Sequence, residues 1–206
     1  PGPAAAPVVV DGPTGSYVRP ADLDEAIHLL QRHPDAVVVA GSTDWGVEVN
    51  LRGARAELVV GVDHLAELRA VTRGADHLEI GAAVTLAELE RGIAREVPLL
   101  TAVLPLFASR LIRNSATIGG NLATGSPIGD LAPALLALEA DVVLHGTDGQ
   151  RLVPLASFFT GYRRSVRRRD ELIRAVRIPL PLGEVTGFQK IAKRRQIGRA
   201  SCRERV

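Results

Sequence analysis

Small polar residues that can bind a phosphate group follow an apolar run early in the sequence. The run AVVVA, residues 36–40, leads directly into Gly41, Ser42, Thr43 and Asp44. A glycine lets the backbone approach a ligand closely, and backbone amides and hydroxyls can donate hydrogen bonds to phosphate oxygens. The segment has neither the pattern of a P-loop nor the G-x-G-x-x-G pattern of a dinucleotide fold. Taken alone, these residues fit a phosphate site and an ordinary tight turn equally well.

A second segment is richer in residues of this kind. It consists of Thr117, Ile118, Gly119, Gly120 and Asn121, followed by ATGSP at residues 123–127 and then by Asp130. Adjacent glycines allow successive amides to converge on one anion, and the side chains of Thr117 and Asn121 add donors. The carboxylate of Asp130 can accept a hydrogen bond from a sugar hydroxyl. Two such segments predict that a diphosphate is bound from both sides, and a simple cluster of turns is the alternative.

Two groups of secondary-structure elements must position these segments. The first is a small parallel α/β unit, predicted from a helix between Pro20 and His33, strands at 36–40 and 58–62 and a helix at 63–70. The second is an antiparallel sheet, predicted from strands at 77–84, 141–144, 152–155 and 172–178, with helices at 86–94, 99–110 and 131–138. We therefore predict an α+β fold with two subdomains, residues 17–75 and 76–196. A linker rich in Gly, Pro and Ala is predicted at residues 1–16.

The composition excludes several classes of function. Hydrophobic residues make up 46% of the chain, but no apolar run approaches the roughly 20 residues that a membrane-spanning helix needs. Four Phe, two Tyr and one Trp provide few rings on which nucleic-acid bases could stack. The basic run RRSVRRRD at residues 163–170 is interpreted as a solvated loop, with an anion site as the less favoured alternative. We therefore expect no membrane span and no nucleic-acid partner.

The last ten residues, IGRASCRERV at 197–206, are interpreted as foreign to the protein because they match the translation of a common sequencing adapter. Without their three arginines and one glutamate, the 25 basic and 23 acidic residues of the chain fall to 22 of each. The single cysteine, Cys202, lies in this tail and is therefore not considered as a ligand or nucleophile. A natural basic terminus is the alternative. Because the chain starts at Pro1 and has no signal peptide, we expect an excised piece of a longer protein.

Four stretches occur in an order that is typical of one protein family. They are VVVAGSTDWGVEV at residues 37–49, NSATIGGNLATGSPIGDLAPALLAL at 114–138, FFTGYRRS at 158–165 and GFQKIAKRR at 187–195. They resemble the FAD-binding domain of the molybdenum hydroxylases, and the word SPIGD favours the xanthine dehydrogenase branch over the carbon monoxide dehydrogenase flavoproteins. The resemblance implies two subdomains with FAD extended between them, and it implies that the second subdomain is incomplete at its C-terminal end.

The resemblance also implies which residues contact FAD. Both polar segments would surround the diphosphate, Phe107 would lie beside the cofactor, and Lys190 would lie near the flavin. Without the resemblance, Phe107 fits a core position and Lys190 a surface position. Trp45 stands where relatives usually carry an aliphatic residue. The full set is Val38, Val39, Ala40, Gly41, Ser42, Thr43, Asp44, Trp45, Phe107, Thr117, Ile118, Gly119, Gly120, Asn121, Asp130, Ile173 and Lys190. We expect no catalytic residue and no metal ligand in this chain.

The function that the resemblance implies is electron transfer. In such enzymes a purine is hydroxylated at a molybdopterin centre on a large subunit, and electrons pass through [2Fe–2S] clusters to FAD and then to NAD. The chain has no cysteine clusters, so an iron–sulphur domain is expected upstream and molybdopterin on a partner. We expect a cytoplasmic FAD-dependent oxidoreductase component, inactive as an isolated fragment. The alternatives are the flavin subunit of a carbon monoxide or aldehyde dehydrogenase-like enzyme and a non-catalytic nucleotide-binding module.

Overall fold

Two β-sheets with helices packed against them form the part of the chain that the computed structural model describes, residues 8–183 and 187–191. The prediction for residues 197–206 lies outside this part. The elements of the first unit are β1 (Val8–Gly12), β2 (Gly15–Arg19), α1 (Leu23–Arg32), β3 (Val37–Val39), α2 (Trp45–Arg52), β4 (Leu58–Gly61) and α3 (Ala66–Arg69). The strand order is β1-β2-β4-β3, in which β2, β4 and β3 are parallel and β1 is antiparallel to β2. The parallel unit predicted from the sequence is therefore present, with one added antiparallel strand.

Helix α1 illustrates why the first unit folds where the sequence predicts. The Asp22 carboxylate accepts a hydrogen bond from the Glu25 amide at 2.8 Å and caps the first turn. The helix ends at Arg32 because His33 precedes Pro34, and a residue before proline disfavours helical backbone. Apolar residues at spacings of three and four form its buried face, namely Leu23, Ala26, Ile27, Leu29 and Leu30.

The hairpin formed by β1 and β2 corrects the predicted linker over residues 8–16, the described part of the segment 1–16. The valines of β1 are all exposed, so burial imposes no apolar alternation from which the strand could be predicted. Gly15 has a φ of +148°, and a Cβ added there would lie 2.1 Å from the carbonyl oxygen of Ala56. The hairpin turn thus depends on a glycine and on close contact with residue Ala56. The residues next to the turn in the sequence do not show this contact.

The second unit contains an antiparallel sheet of five strands. Its strands are β5 (Val71–Arg73), β6 (His77–Gly81), β7 (Asp141–Gly146), β8 (Gly149–Pro154) and β11 (Leu172–Pro179), and a small hairpin adds β9 (Phe159–Gly161) and β10 (Arg164–Ser165). The order is β5-β6-β11-β7-β8, with every neighbouring pair antiparallel. The predicted antiparallel sheet is confirmed. Because β5 already belongs to it, the chain passes between the sheets before residue 71, earlier than the predicted boundary after residue 75.

Five α-helices lie between β6 and β7 in the described chain. They are α4 (Leu86–Gly92), α5 (Pro98–Val103), α6 (Arg110–Ser115), α7 (Ile118–Thr124) and α8 (Leu131–Ala137). The helix predicted at 99–110 is interrupted by a 3₁₀ turn at Leu104–Leu106. In the described part of the chain, no helix has the length and apolarity required to span a bilayer.

Two apolar cores meet where the units join. The larger core lies between the antiparallel sheet and its helices and includes Phe158, which is fully buried. The smaller core is built mainly from α1 and residues 60–68, and it also includes Ala83 and Leu172 from the second unit. Because residues of both units are buried in one core, apolar packing fixes the relative position of the units.

Candidate cofactor-binding cleft

A cleft of about 650 Å³ lies between the two units. On one side it is lined by β3 and the following turn, and on the other by residues 107–108, the start of α7 and residues 126–130. All of the predicted contact residues line it except Ile118 and Lys190. Ile118 is buried in the core, whereas Lys190 reaches the edge of the cleft through Asp130. The structure thus brings together two polar segments that are far apart in the sequence.

The turn after β3 has backbone donors that are not used within the protein. The amides of Ser42, Thr43 and Asp44 donate no hydrogen bond to any residue of the described chain. Ser42 has a left-handed φ of +54°, a strain that proteins commonly retain at ligand sites. The eight-residue helix α2 begins directly afterwards, without a side-chain cap, and a helix N-terminus carries a partial positive charge. Free amides beside this charge favour the phosphate-site interpretation over the ordinary turn.

The structure explains why position 41 is a glycine, which the sequence alone does not. A Cβ added at Gly41 would lie 1.7 Å from the carbonyl oxygen of Ser115 and 3.1 Å from the Cα of Ala116. These atoms belong to the connection between α6 and α7, so Gly41 lets the backbones of the two units touch. This contact places the turn after β3 next to the start of α7.

The second polar segment is the helix α7 rather than a loop, and its amides already have partners. The Gly119 amide donates to the carbonyl of Ala82 at 2.9 Å, and the Gly120 amide donates to the Thr117 hydroxyl at 3.0 Å. The amide of Ile118 is likewise bonded, to Val84 O at 3.1 Å. The expectation that these amides converge on an anion is therefore corrected. Thr117 acts as the helix cap, and its hydroxyl accepts the hydrogen bond of the Gly120 amide, one of the donors that the sequence had assigned to a ligand.

Asn121 offers the cleft an acceptor in place of those amides. Its side-chain Oδ1 is buried and has no hydrogen-bond partner in the described chain. A Cβ added at Gly129 would lie 3.5 Å from this oxygen, so Gly129 is next to it at the wall of the cleft. Buried acceptors are normally satisfied, and a hydroxyl or N–H of a bound cofactor would satisfy this one. The donors at 42–44 and the acceptor at Asn121 thus fit a cofactor that carries both phosphate and hydroxyl groups.

Apolar side chains complete the walls of the cleft. Phe107 is only 9% exposed and lies in the wall formed by the second unit. Ile173 is buried in β11 and lines the same cleft. Trp45 lines it from the first turn of α2 and is half-buried. These walls suit the planar rings of a large cofactor, because such rings are stabilised mainly by removal from water.

Asp130 and Lys190 form an ion pair at the edge of the cleft. The Lys190 Nζ lies 2.7 Å from Asp130 Oδ2 and also donates to the carbonyl of Leu106 at 2.7 Å. Both charged side chains are about 15% exposed or less. The structure therefore joins Asp130, predicted as a polar contact of the cofactor, to Lys190, predicted near the flavin. Lys190 also ties this pair to the residue that precedes Phe107.

Two arginines that the sequence did not predict as site residues line the cleft. Arg167 and Arg169 belong to the basic run that was interpreted as a solvated loop, and that interpretation is corrected for Arg167, which is half-buried, but not for Arg169, which is exposed. The Arg167 Nη1 donates to the carbonyl of Glu171 at 2.7 Å, and burial lowers the pKa of Arg167. Arg169 pairs with Asp35 at 3.2 Å, with both side chains exposed. A run of like charges gives no sign of which members turn inward, so these residues could not be distinguished by sequence.

Glu171 holds the loop that carries these arginines. It is 3% exposed and accepts two hydrogen bonds from the Arg151 guanidinium, at 2.6 and 2.8 Å. The Arg168 amide donates to it at 2.6 Å. The hydrogen bonds from Arg151, together with those from the backbone, keep the pKa of Glu171 below its ordinary value despite its burial.

The fold and the cleft together define a two-unit domain whose cleft fits a phosphate-bearing cofactor. A family model described as the FAD binding domain in molybdopterin dehydrogenase matches residues 12–181. The chain therefore belongs to this family, and FAD is its cofactor. The resemblance to the molybdenum hydroxylases seen in the sequence is confirmed.

Individual relatives agree with this assignment. The chain is 35% identical over 192 residues to xanthine dehydrogenase from Emericella nidulans. The aligned region covers 87% of this chain and 14% of that protein. It is 37% identical over 167 residues to the xanthine dehydrogenase FAD-binding subunit from Escherichia coli O157:H7, covering 80% of the chain and 57% of the subunit. The crystal structure of carbon monoxide dehydrogenase from Hydrogenophaga pseudoflava matches with a TM-score of 0.83 and 29% identity, over 91% of this chain and 67% of that one. The chain thus spans only part of the length of these relatives.

Proposed function

We propose that this chain is the flavin-carrying electron-transfer part of a xanthine dehydrogenase-like molybdenum hydroxylase. The support is the identity of 35% and 37% to two xanthine dehydrogenase sequences, together with the SPIGD stretch at residues 126–130. In the whole enzyme, an upstream iron–sulphur domain and a molybdopterin-binding large subunit would supply the electrons, and NAD would accept them. The flavin supplies two-electron redox chemistry when it is bound.

The residues of this chain bind and orient the cofactor. The amides of Ser42, Thr43 and Asp44 and the N-terminus of α2 bind the diphosphate, because they are free donors beside a partial positive charge. The Asn121 Oδ1 accepts a hydrogen bond from the cofactor. The walls that include Phe107 exclude water from the rings. The free amides at 42–44 are the single observation that carries the proposed diphosphate contact.

Titration of the 206-residue chain with FAD, FMN and riboflavin tests this diphosphate site. We expect the affinity for FAD to exceed that for FMN by at least about tenfold, because FMN has one phosphate and lacks the adenosine half. ADP should displace FAD more effectively than AMP does, since ADP carries the diphosphate. Equal retention of FMN and FAD, or equal displacement of FAD by AMP and ADP, would contradict the proposed diphosphate site.

The acceptor is tested separately, by mixing the FAD-loaded whole enzyme with NADH in the absence of oxygen. Rapid loss of the flavin absorbance supports NAD as the acceptor, because hydride transfer is reversible. Loss of absorbance with dithionite but none with NADH would contradict NAD and would leave the FAD assignment intact.

A carbon monoxide or aldehyde dehydrogenase-like enzyme is the second candidate, favoured by the TM-score of 0.83 to a carbon monoxide dehydrogenase chain. The sequence of the neighbouring molybdenum subunit distinguishes the two candidates, because that subunit binds the substrate. A non-catalytic nucleotide-binding module would be indicated by purified whole protein that contains no flavin and binds ADP as tightly as FAD.

A further inference from the structure

The turn that carries Phe107 is held by hydrogen bonds from two cationic side chains, Lys190 and Arg113. Three consecutive carbonyl groups, at residues 106, 107 and 108, accept hydrogen bonds from charged side chains. Lys190 donates to Leu106 O at 2.7 Å. Arg113 donates from Nη1 to Phe107 O at 2.8 Å and to Ala108 O at 3.4 Å. The turn follows a 3₁₀ helix, whose last carbonyls have no partner inside the helix and carry a partial negative charge.

Arg113 is the more deeply buried of the two cations. It lies on α6, is 8% exposed, and pairs through Nε with Glu90 Oε2 of α4 at 3.0 Å. A buried guanidinium is costly unless it is paired and its donors are used. Arg113 meets this requirement by joining the carboxylate of α4 to the carbonyls of the turn. It does not line the cleft, so any effect on the cofactor passes through the turn.

The backbone of the turn requires such support. Ala108 has a φ of +43°, in the left-handed region that L-residues disfavour. Both Phe107 and Ala108 line the cleft, so a relaxation of this backbone would move part of the cofactor wall. Hydrogen bonds from a charged group are about twice as strong as neutral ones, and they offset the strain.

We propose that Arg113, with Glu90 as its counter-ion, is a positioning residue that fixes the Phe107–Ala108 turn as a wall of the FAD cleft. The contacts of Arg113 lie within the chain, so its effect on the turn can be tested without the flavin, whereas the role of the turn as a wall of the FAD site rests on the proposed function. Arg110 provides a matched control, because it lies on the same helix and is exposed.

The experiment compares Arg113→Gln with Arg110→Gln in the 206-residue chain, using amide hydrogen exchange of the peptide covering residues 104–112. We expect Arg113→Gln to speed exchange in this peptide by about 10- to 100-fold, the effect of losing hydrogen bonds to a charged group. Peptides from β6 and β7 should exchange as in the parent chain. FAD affinity per folded molecule should fall by about tenfold, and Arg110→Gln should change neither quantity by more than about twofold.

The exchange result decides the proposal by itself. If Arg113→Gln speeds exchange equally in all peptides, Arg113 stabilises the whole fold and the positioning role is refuted. Unchanged exchange in residues 104–112 refutes it as well. If Arg113→Gln does not fold, Glu90→Gln provides the same readout, because it removes the counter-charge and keeps an acceptor for Arg113 Nε. A selective increase at 104–112 supports the proposal, and a uniform or absent increase overturns it.

Discussion

Gly41→Ala tests whether the two units touch through their backbones beside the cleft. The added Cβ would lie 1.7 Å from Ser115 O and 2.5 Å from Ser115 C. To reach the ordinary contact limit of 3.4 Å, the carbonyl oxygen would have to move by about 1.7 Å. Every atom that the Cβ meets is backbone, so no side-chain rotation can relieve the clash. We therefore expect a loss of about 3 kcal/mol in the free energy of unfolding, the upper part of the range for overpacking.

Gly46→Ala is the matched control, because it lies in α2 with no atom within 4 Å of an added Cβ. Replacing a helical glycine by alanine should raise stability by about 0.5–1 kcal/mol. Urea denaturation of both variants measures the difference. With an m-value of about 2 kcal/mol/M, the midpoint of Gly41→Ala should fall by about 1.5 M, and that of Gly46→Ala should rise slightly. Equal midpoints for the two variants would refute the contact between the turn after β3 and the α6–α7 connection.

Two further predictions concern α7 and the loop held by Glu171. Gly119→Ala should cost about 2 kcal/mol in a thermal melt, because its Cβ would lie 2.4–2.9 Å from Ala82 atoms. Gly120→Ala should cost at most about 1 kcal/mol, because its Cβ would meet only the Thr117 hydroxyl, at 2.8 Å, and displacing that hydroxyl weakens one cap hydrogen bond. Equal losses would contradict this packing. The pKa of Glu171 is lower in the folded protein than its ordinary value of about 4.5 in the unfolded chain. Its carboxylate therefore stabilises the fold at pH values above about 4.5, and this stabilisation is lost as the pH falls through the lowered pKa of the folded protein. Glu171→Gln should therefore flatten the acid side of the profile of Tm against pH, and exposed Glu67→Gln should leave its slope unchanged; parallel profiles for all three chains would contradict the argument.

Much of the fold could be predicted because its strands are apolar and rich in branched residues. The runs at residues 36–40 and 58–62 contain β3 and β4, and the run at 172–178 covers all of β11 except its last residue, since short runs rich in apolar β-branched residues are typical of strands. Helix α7 could not be predicted in the same way. Its Gly-Gly pair disfavours a helix by local propensity, and a distant contact with Ala82 outweighs that preference. The exposed valines of β1 likewise carry no pattern from which a strand could be read.

The candidate site shows the same division between local and distant causes. The sequence identified the turn after β3, because small polar residues that follow a buried strand are a local pattern. It could not show that Thr117 caps a helix and uses the Gly120 amide, or that the donors at 42–44 remain free. Nor could it show that Arg167 turns into the cleft while its neighbour Arg168 is exposed and pairs with Asp148. Each of these facts depends on residues that are close only in the folded chain.

The position of β11 has a consequence for how this chain is made. It is the last strand of the described chain, yet it is the middle strand of its sheet, with β6 on one side and β7 on the other. During synthesis, the hairpins β5–β6 and β7–β8 can form early, but each keeps an unpaired apolar edge until residues 172–179 leave the ribosome. Nascent chains that stop before Leu172 would therefore be the species most exposed to aggregation and to chaperones. The same strand contributes Leu172 to the smaller core and Ile173 to the cleft, so the walls of the cleft are complete only when β11 has joined the sheet.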